Sequence, residues 1–146
     1  RAVHHLARYL EKYRAVGVIF MCNHCPYVKG CIDHFKQIQA DFESEAFTLI
    51  GINANDASLS PEDSFENMLA FGEEYQLNFP YLRDPTQDVA KGFGATVTPQ
   101  AFLFDNRGVL RYWGSVNDNP QTPELVQMAY LRNAIASLLN QVPVPR

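Results

Sequence analysis

The sequence predicts an α/β fold in which a mixed central sheet carries helices on both faces. Three observations predict it. Continuous apolar runs rich in β-branched residues alternate with segments of helical apolar periodicity, and that alternation calls for parallel strands covered on both sides. The runs are short, as buried strands are. Late in the chain, two strand-like segments flank Asn106-Arg107-Gly108, so an antiparallel hairpin closes one edge of the sheet.

Each element has a local reason. Val3, Leu6, Leu10 and Tyr13 recur at helical spacing and predict a short amphipathic helix at the start. The run AVGVIFM (residues 15–21) reads as a buried central strand. Cys31, Phe35, Ile38 and Phe42 then mark one face of a helix, with Lys29, Asp33, Lys36 and Asp41 off it. FTLIGINAN (residues 47–55) is a second buried strand. In the following segment Ser60 is expected as N-cap and Pro61 as first helical residue, with Phe65, Met68, Leu69 and Tyr75 as the apolar stripe. FPYLRD is a short strand, and PTQDVAKGFG a helix stopping at Gly92 or Gly94. QAFLFD and VLRYWG form the hairpin around NRG. Thr122 caps and Pro123 starts a last helix running to about Asn140, with Leu125, Ala129, Ile135, Leu138 and Leu139 inward. Residues 1–146 are expected to form a single domain.

Bulk composition excludes several classes. With 47% hydrophobic and 19% charged residues the chain suits an ordinary folded core. Net charge is −4 and no basic block occurs, so no nucleic-acid partner is expected. The longest apolar runs cover about five or six residues against the ~20 a bilayer requires, so no membrane partner is expected either. The chain shows no signal-peptide pattern, and a cytoplasmic location is the expectation. Three cysteines do not make a disulfide scaffold; closely spaced, they read as redox or metal chemistry.

All three cysteines lie in FMCNHCPYVKGC (residues 20–31), and Cys22 and Cys25 form a C-x-x-C pair. Proline is favoured at the first position of a helix, so Pro26 favours Cys25 as N-cap. A sulfur there faces unpaired N–H groups and the positive end of the helix dipole, which stabilises thiolate. On this register Cys25 attacks and Cys22 resolves. The other register makes Cys22 the N-cap and puts Pro26 at the fourth helical position, at the cost of a helix bond. A metal site is a weaker reading, because a lone C-x-x-C supplies two of four ligands and no second such motif follows. His24 is adjacent to Cys25, and Cys31 lies about 9 Å along the helix from it, so neither converges with Cys25 on one ion. Cys31 is expected in the core and His4, His5 and His34 on the surface, while His24 either tunes the thiolate or faces solvent. The second landmark is Thr98-Pro99, immediately before a strand, where proline is allowed to begin a strand and where a cis peptide would turn Thr98 toward a ligand.

Together, the strand, the C-x-x-C at a helix start and the Thr-Pro before FLFDNRG resemble the thioredoxin-like superfamily. The run FPYLRDPTQDVAKGFGATVTPQAFLFD and the helix around residues 61–75 resemble its redoxin branch, which includes AhpC/TSA and TlpA/ResA-type proteins. CNHCPYVKG resembles a bacterial subgroup of thioredoxin-like, thiol–disulfide isomerase-type proteins. The resemblance implies a three-layer sandwich and thiol–disulfide exchange by Cys22 and Cys25 without a cofactor. It implies His24, Thr98 and Pro99 at the substrate groove, a protein or small-molecule disulfide or thiol as substrate, and a separate redox partner. Thiol peroxidase activity and non-catalytic copper or zinc binding are the alternatives.

The sequence departs from the family's pattern at several points. Pro26 follows the pair instead of lying inside it, and the position three after Cys25 is Val28. VGVIF lacks the buried acid of the thioredoxin strand. The Thr or Ser that peroxidases place three residues before the cysteine is replaced by Cys22, or by Ile19 when counted from Cys22. The N-terminal hairpin and Gly-Cys tail of the subgroup are not in the sequence.

Overall fold

The structure, a computed structural model, describes residues 9, 11–21, 23, 26–54, 63–84, 88–95, 100–116 and 130–140. The elements in chain order are β1 (Ala15–Phe20), α1 (Pro26–Phe42), a 3₁₀ turn (Glu43–Glu45), β2 (Phe47–Asn53), α2 (Phe65–Tyr75), β3 (Tyr81–Arg83), α3 (Asp88–Phe93), β4 (Gln100–Asp105), β5 (Leu110–Gly114) and α4 (Tyr130–Leu139). The strands form one sheet in the order β3-β2-β1-β4-β5. β1, β2 and β3 run parallel, and β4 and β5 run antiparallel to their neighbours. This is the mixed sheet with a terminal hairpin that the alternation of elements implies.

Residue alternation divides the sheet between two cores. Ala15, Ile19, Met21, Phe47, Leu49, Ala101 and Leu103 face one side, where Phe35 and Ile38 of α1, Phe71 of α2 and Leu131 and Ile135 of α4 pack on them. Val16, Val18, Phe20, Ile50, Ile52 and Phe102 face the other, against Tyr9, Tyr13 and Phe93 of α3. There Phe20, Phe93 and Phe102 meet edge to face at centroid distances of 5.4, 5.7 and 5.2 Å. Helices on both faces of one sheet make three layers, as expected. Every residue of β1 and β2 is buried, as a continuous apolar run requires when both faces are covered.

α1 buries Phe35, Ile38 and Phe42, which its periodicity marks, together with Ile32; the side chain of Cys31 lies outside the described residues. α3 ends before Gly94, whose φ of 75° suits glycine at a helix stop. Asp105 Oδ1 accepts from the amides of Arg107 and Val109 and so holds the hairpin turn. Trp113 on β5 is 64% exposed.

Three expectations are corrected. α2 begins at Phe65 with Ser64 as N-cap, whose Oγ accepts from the Asn67 amide, later than the expected start; Ser60 and Pro61 themselves lie outside the described residues. Its buried residues are Met68 and Phe71, whereas Leu69 is exposed. α2 packs beside the short edge strand β3, where Phe71 meets the Tyr81 ring at 5.8 Å, and Leu69 lines a shallow groove with Phe65 and Phe79. His34 is half-buried on α1, and its Nε2 is enclosed without a hydrogen-bond partner. The expected caps Thr122 and Pro123, the inward Leu125 and Ala129, Val3, Leu6 and Leu10 of the opening helix, and His4 and His5 lie outside the described residues. No helix among the described residues is long and apolar enough to cross a membrane.

Candidate active site

The carboxyl ends of β1 and β2 and the amino end of β4 share one end of the sheet. Open α/β sheets place their sites at the carboxyl ends of parallel strands. β1 pairs on as far as Met21, whose amide donates to Ile52 O at 2.9 Å. α1 begins at Pro26, the first helical position to which its preset φ is suited. The short segment between therefore joins a buried strand to a helix N-terminus. Cys22, His24 and Cys25 within it lie outside the described residues, as do Thr98 and Pro99. Their points of attachment do not: Phe20, two residues before Cys22, is the register partner of Gln100, directly after Pro99.

One residue of the motif is described. Asn23 is buried at 7% exposure and belongs to a closed ring of hydrogen bonds. Its backbone N–H donates to Asp63 Oδ1 at 2.7 Å. The same oxygen accepts from Asn53 Nδ2 at 2.9 Å. Asn53 Nδ2 also donates to the Tyr81 hydroxyl at 3.1 Å, and that hydroxyl donates to Asn23 Oδ1 at 2.8 Å. Every donor in the ring meets an acceptor, which is how buried polar groups are tolerated. Asp63 is wholly buried and Asn53 is 1% exposed.

Each member is delivered by a different element. Asn53 is the last residue of β2, Tyr81 the first of β3, and Asp63 precedes the N-cap of α2. Gly51 makes the approach possible, since a Cβ there would stand 2.8 Å from Met21 Sδ and 3.2 Å from the Tyr81 ring. A parallel bond from the Asp84 amide to Asn53 O, 2.8 Å, fixes β3 against β2 beside it.

Sequence reasoning missed Asn53, Asp63 and Tyr81 and gave Asn23 no role. Asn53 and Tyr81 sit at strand ends and Asp63 in a segment read as helix, so no periodicity singles them out. The one available signal was an asparagine inside the motif, next to an apolar strand.

The comparisons with known proteins agree with this frame. An uncharacterized conserved protein from Geobacillus kaustophilus superposes with a TM-score of 0.85 at 38% identity, covering 91% of this chain and 71% of that one. A hypothetical protein from Sinorhizobium meliloti 1021 superposes with a TM-score of 0.88 at 34% identity, covering 96% of this chain and 76% of that one. A secreted Mycobacterium tuberculosis disulfide oxidoreductase homologous to E. coli DsbE shares the fold, with a TM-score of 0.63 at 16% identity over 90% of this chain and 85% of that one. No curated protein matches the sequence. The model of the AhpC/TSA family matches residues 4–113. A mixed sheet with helices on both faces, close structural relatives and that match over most of the chain agree: the protein has a thioredoxin-like fold and belongs to the AhpC/TSA family.

Proposed function

We propose that the protein is a thiol–disulfide oxidoreductase acting through Cys22 and Cys25. The observation that carries the reading is the start of α1 at Pro26, directly after the motif that leaves the buried end of β1. A cysteine immediately before that first turn gains from unpaired amides and the helix dipole, and thiolate is the reactive form.

In the proposed reaction the Cys25 thiolate attacks one sulfur of a substrate disulfide. An S–S bond forms to the substrate, and the substrate's other sulfur leaves as thiolate. Cys22 thiolate then attacks Cys25 Sγ, which breaks the mixed disulfide, closes the Cys22–Cys25 bond and releases the second substrate thiolate. Two electrons pass from the dithiol to the substrate, and the reverse sequence oxidises a substrate dithiol. His24, Thr98 and Pro99 line the substrate groove on this reading, and the substrate is a protein or small-molecule disulfide or thiol.

The test is the alkylation rate of the reduced protein against pH, with each cysteine mapped by mass spectrometry. Cys25 is expected to label well below the free-thiol pKa of about 8.5, with Cys22 slower. Fast Cys22 would reverse the roles, and two cysteines inert below about pH 8 would end the redox reading.

Membership of the AhpC/TSA family favours a second reading, thiol peroxidase. There the Cys25 thiolate takes an oxygen from a hydroperoxide, becoming sulfenic acid as the alcohol leaves. Cys22 then condenses with it and releases water. Sustained consumption of peroxide with a thiol reductant would establish that reading; absence of turnover would leave exchange alone.

A further inference from the structure

The ring beneath the motif carries an inference that rests on the dithiol reading above. We propose that Asp63 is a positioning residue for the Cys22–Cys25 pair, acting through the Asn23 amide that its Oδ1 accepts at 2.7 Å. That amide nitrogen is bonded to the carbonyl carbon of Cys22. Holding it holds the peptide that begins the loop between the two cysteines. The side-chain oxygen of the same residue is held independently by the Tyr81 hydroxyl at 2.8 Å. Asn23 is therefore gripped at both its backbone and its side chain.

The grip is rigid for three reasons. Asp63 is fully buried, so water does not compete for its oxygen. Its Oδ1 is shared with Asn53 Nδ2, and Asn53 ends β2, a strand paired on both sides. Tyr81, the other anchor, packs its ring against Phe71 at 5.8 Å.

The consequence is an effective concentration. Two thiols whose backbone is pinned find one another more often than two on a loose loop, and this favours their disulfide. Asp63 arrives from the segment before α2, about 40 residues along the chain from the loop it holds.

The experiment is redox equilibration with glutathione. The dithiol gives two electrons and two protons to oxidised glutathione, producing two glutathione thiols and the Cys22–Cys25 disulfide. The ratio is read by acid quench and mass spectrometry on the full chain, for the unmodified protein, Asp63→Ala, Asp63→Asn and Tyr81→Phe. Asp63→Asn retains an Oδ1 acceptor and discards the charge, whereas Asp63→Ala discards both. Asp63→Ala is expected to shift the equilibrium about tenfold toward the dithiol, equal to about 30 mV. Asp63→Asn is expected to stay within about threefold of the unmodified protein. Tyr81→Phe, which keeps the packed ring, is expected to shift about threefold in the same direction as Asp63→Ala; it carries the test if Asp63→Ala does not fold.

Equal ratios for all four proteins would overturn the positioning role and leave the dithiol reading standing. A shift in Asp63→Asn as large as in Asp63→Ala would also overturn it, because charge rather than the accepted bond would then be responsible. An unmodified protein that never equilibrates with glutathione would instead remove the dithiol reading, and the inference with it.

Discussion

Gly51 decides how closely β2, β3 and the end of β1 approach. A methyl group there would stand 2.8 Å from Met21 Sδ and 3.2 Å from ring atoms of both Phe79 and Tyr81. Met21 is wholly buried and cannot swing away into solvent. Gly51→Ala is therefore expected to destabilise the protein by about 1–3 kcal/mol, the usual cost of overpacking, read from the urea midpoint. An unchanged midpoint would show that the sheet accommodates the methyl. His34 supplies a pH-dependent term at the same scale. Burial first, and the nearby Arg132 guanidinium second, hold its pKa below the ordinary histidine value of 6.5. The unfolded chain thus takes up the proton more readily than the folded one, and stability falls as pH drops from about 6.5 through the folded value. His34→Leu is expected to flatten part of the decline in urea midpoint between about pH 7.5 and 5; parallel curves for both proteins would exclude His34 as its source. A second window lies lower. Hydrogen bonds from Arg132 and Gln37 hold the Asp41 carboxyl below its ordinary 3.8, so that contribution is present above this pH and is lost as pH falls further.

α2 shows where local sequence is informative and where it is not. Its amphipathic character and approximate place were legible, because Phe65, Met68 and Tyr75 recur at helical spacing. Its start and its buried face were not. Pro61 is a strong local start signal, yet the cap is Ser64, and Leu69 looks as apolar as Met68 while facing outward. Those outcomes depend on what the helix packs against, which is a tertiary matter. The two ends of α2 give predictions of opposite sign. Ser64 Oγ accepts from the Asn67 amide at 3.2 Å, so Ser64→Ala is expected to cost about 1 kcal/mol. Gln76 ends the helix at φ 50°, a left-handed conformation that favours glycine, so Gln76→Gly is expected to gain about 0.5–1 kcal/mol. Thermal unfolding of both variants checks the pair, and a gain from Ser64→Ala or a loss from Gln76→Gly would contradict the capping account.

For the whole molecule, strand order sets the order of opening. β1 and β2 are buried throughout and hydrogen-bonded on both sides, whereas β3 and β5 are the outermost strands of the sheet. Hydrogen exchange is expected to be slowest at Val16, Val18 and Ile19, tracking global unfolding, and much faster at Leu110 and Trp113; equal protection across the sheet would contradict this. The same contrast explains what could be read from the chain. The sheet with its hairpin follows from Ala15–Phe20, Phe47–Asn53 and the Asn106–Gly108 turn, because runs and turns are local signals. The start of a helix at Pro26 is local too. The ring of Asn23, Asn53, Asp63 and Tyr81 is not, since its members come from four places in the chain and meet only once the strands have paired. The outermost strand also has a spectroscopic consequence. The molecule's single tryptophan, Trp113, is 64% exposed on β5. Its indole is bathed in water while the protein is folded, so its emission is expected to be red-shifted in the native state and to change little on unfolding. Fluorescence from that indole will instead respond to whatever settles on the outer surface of β5.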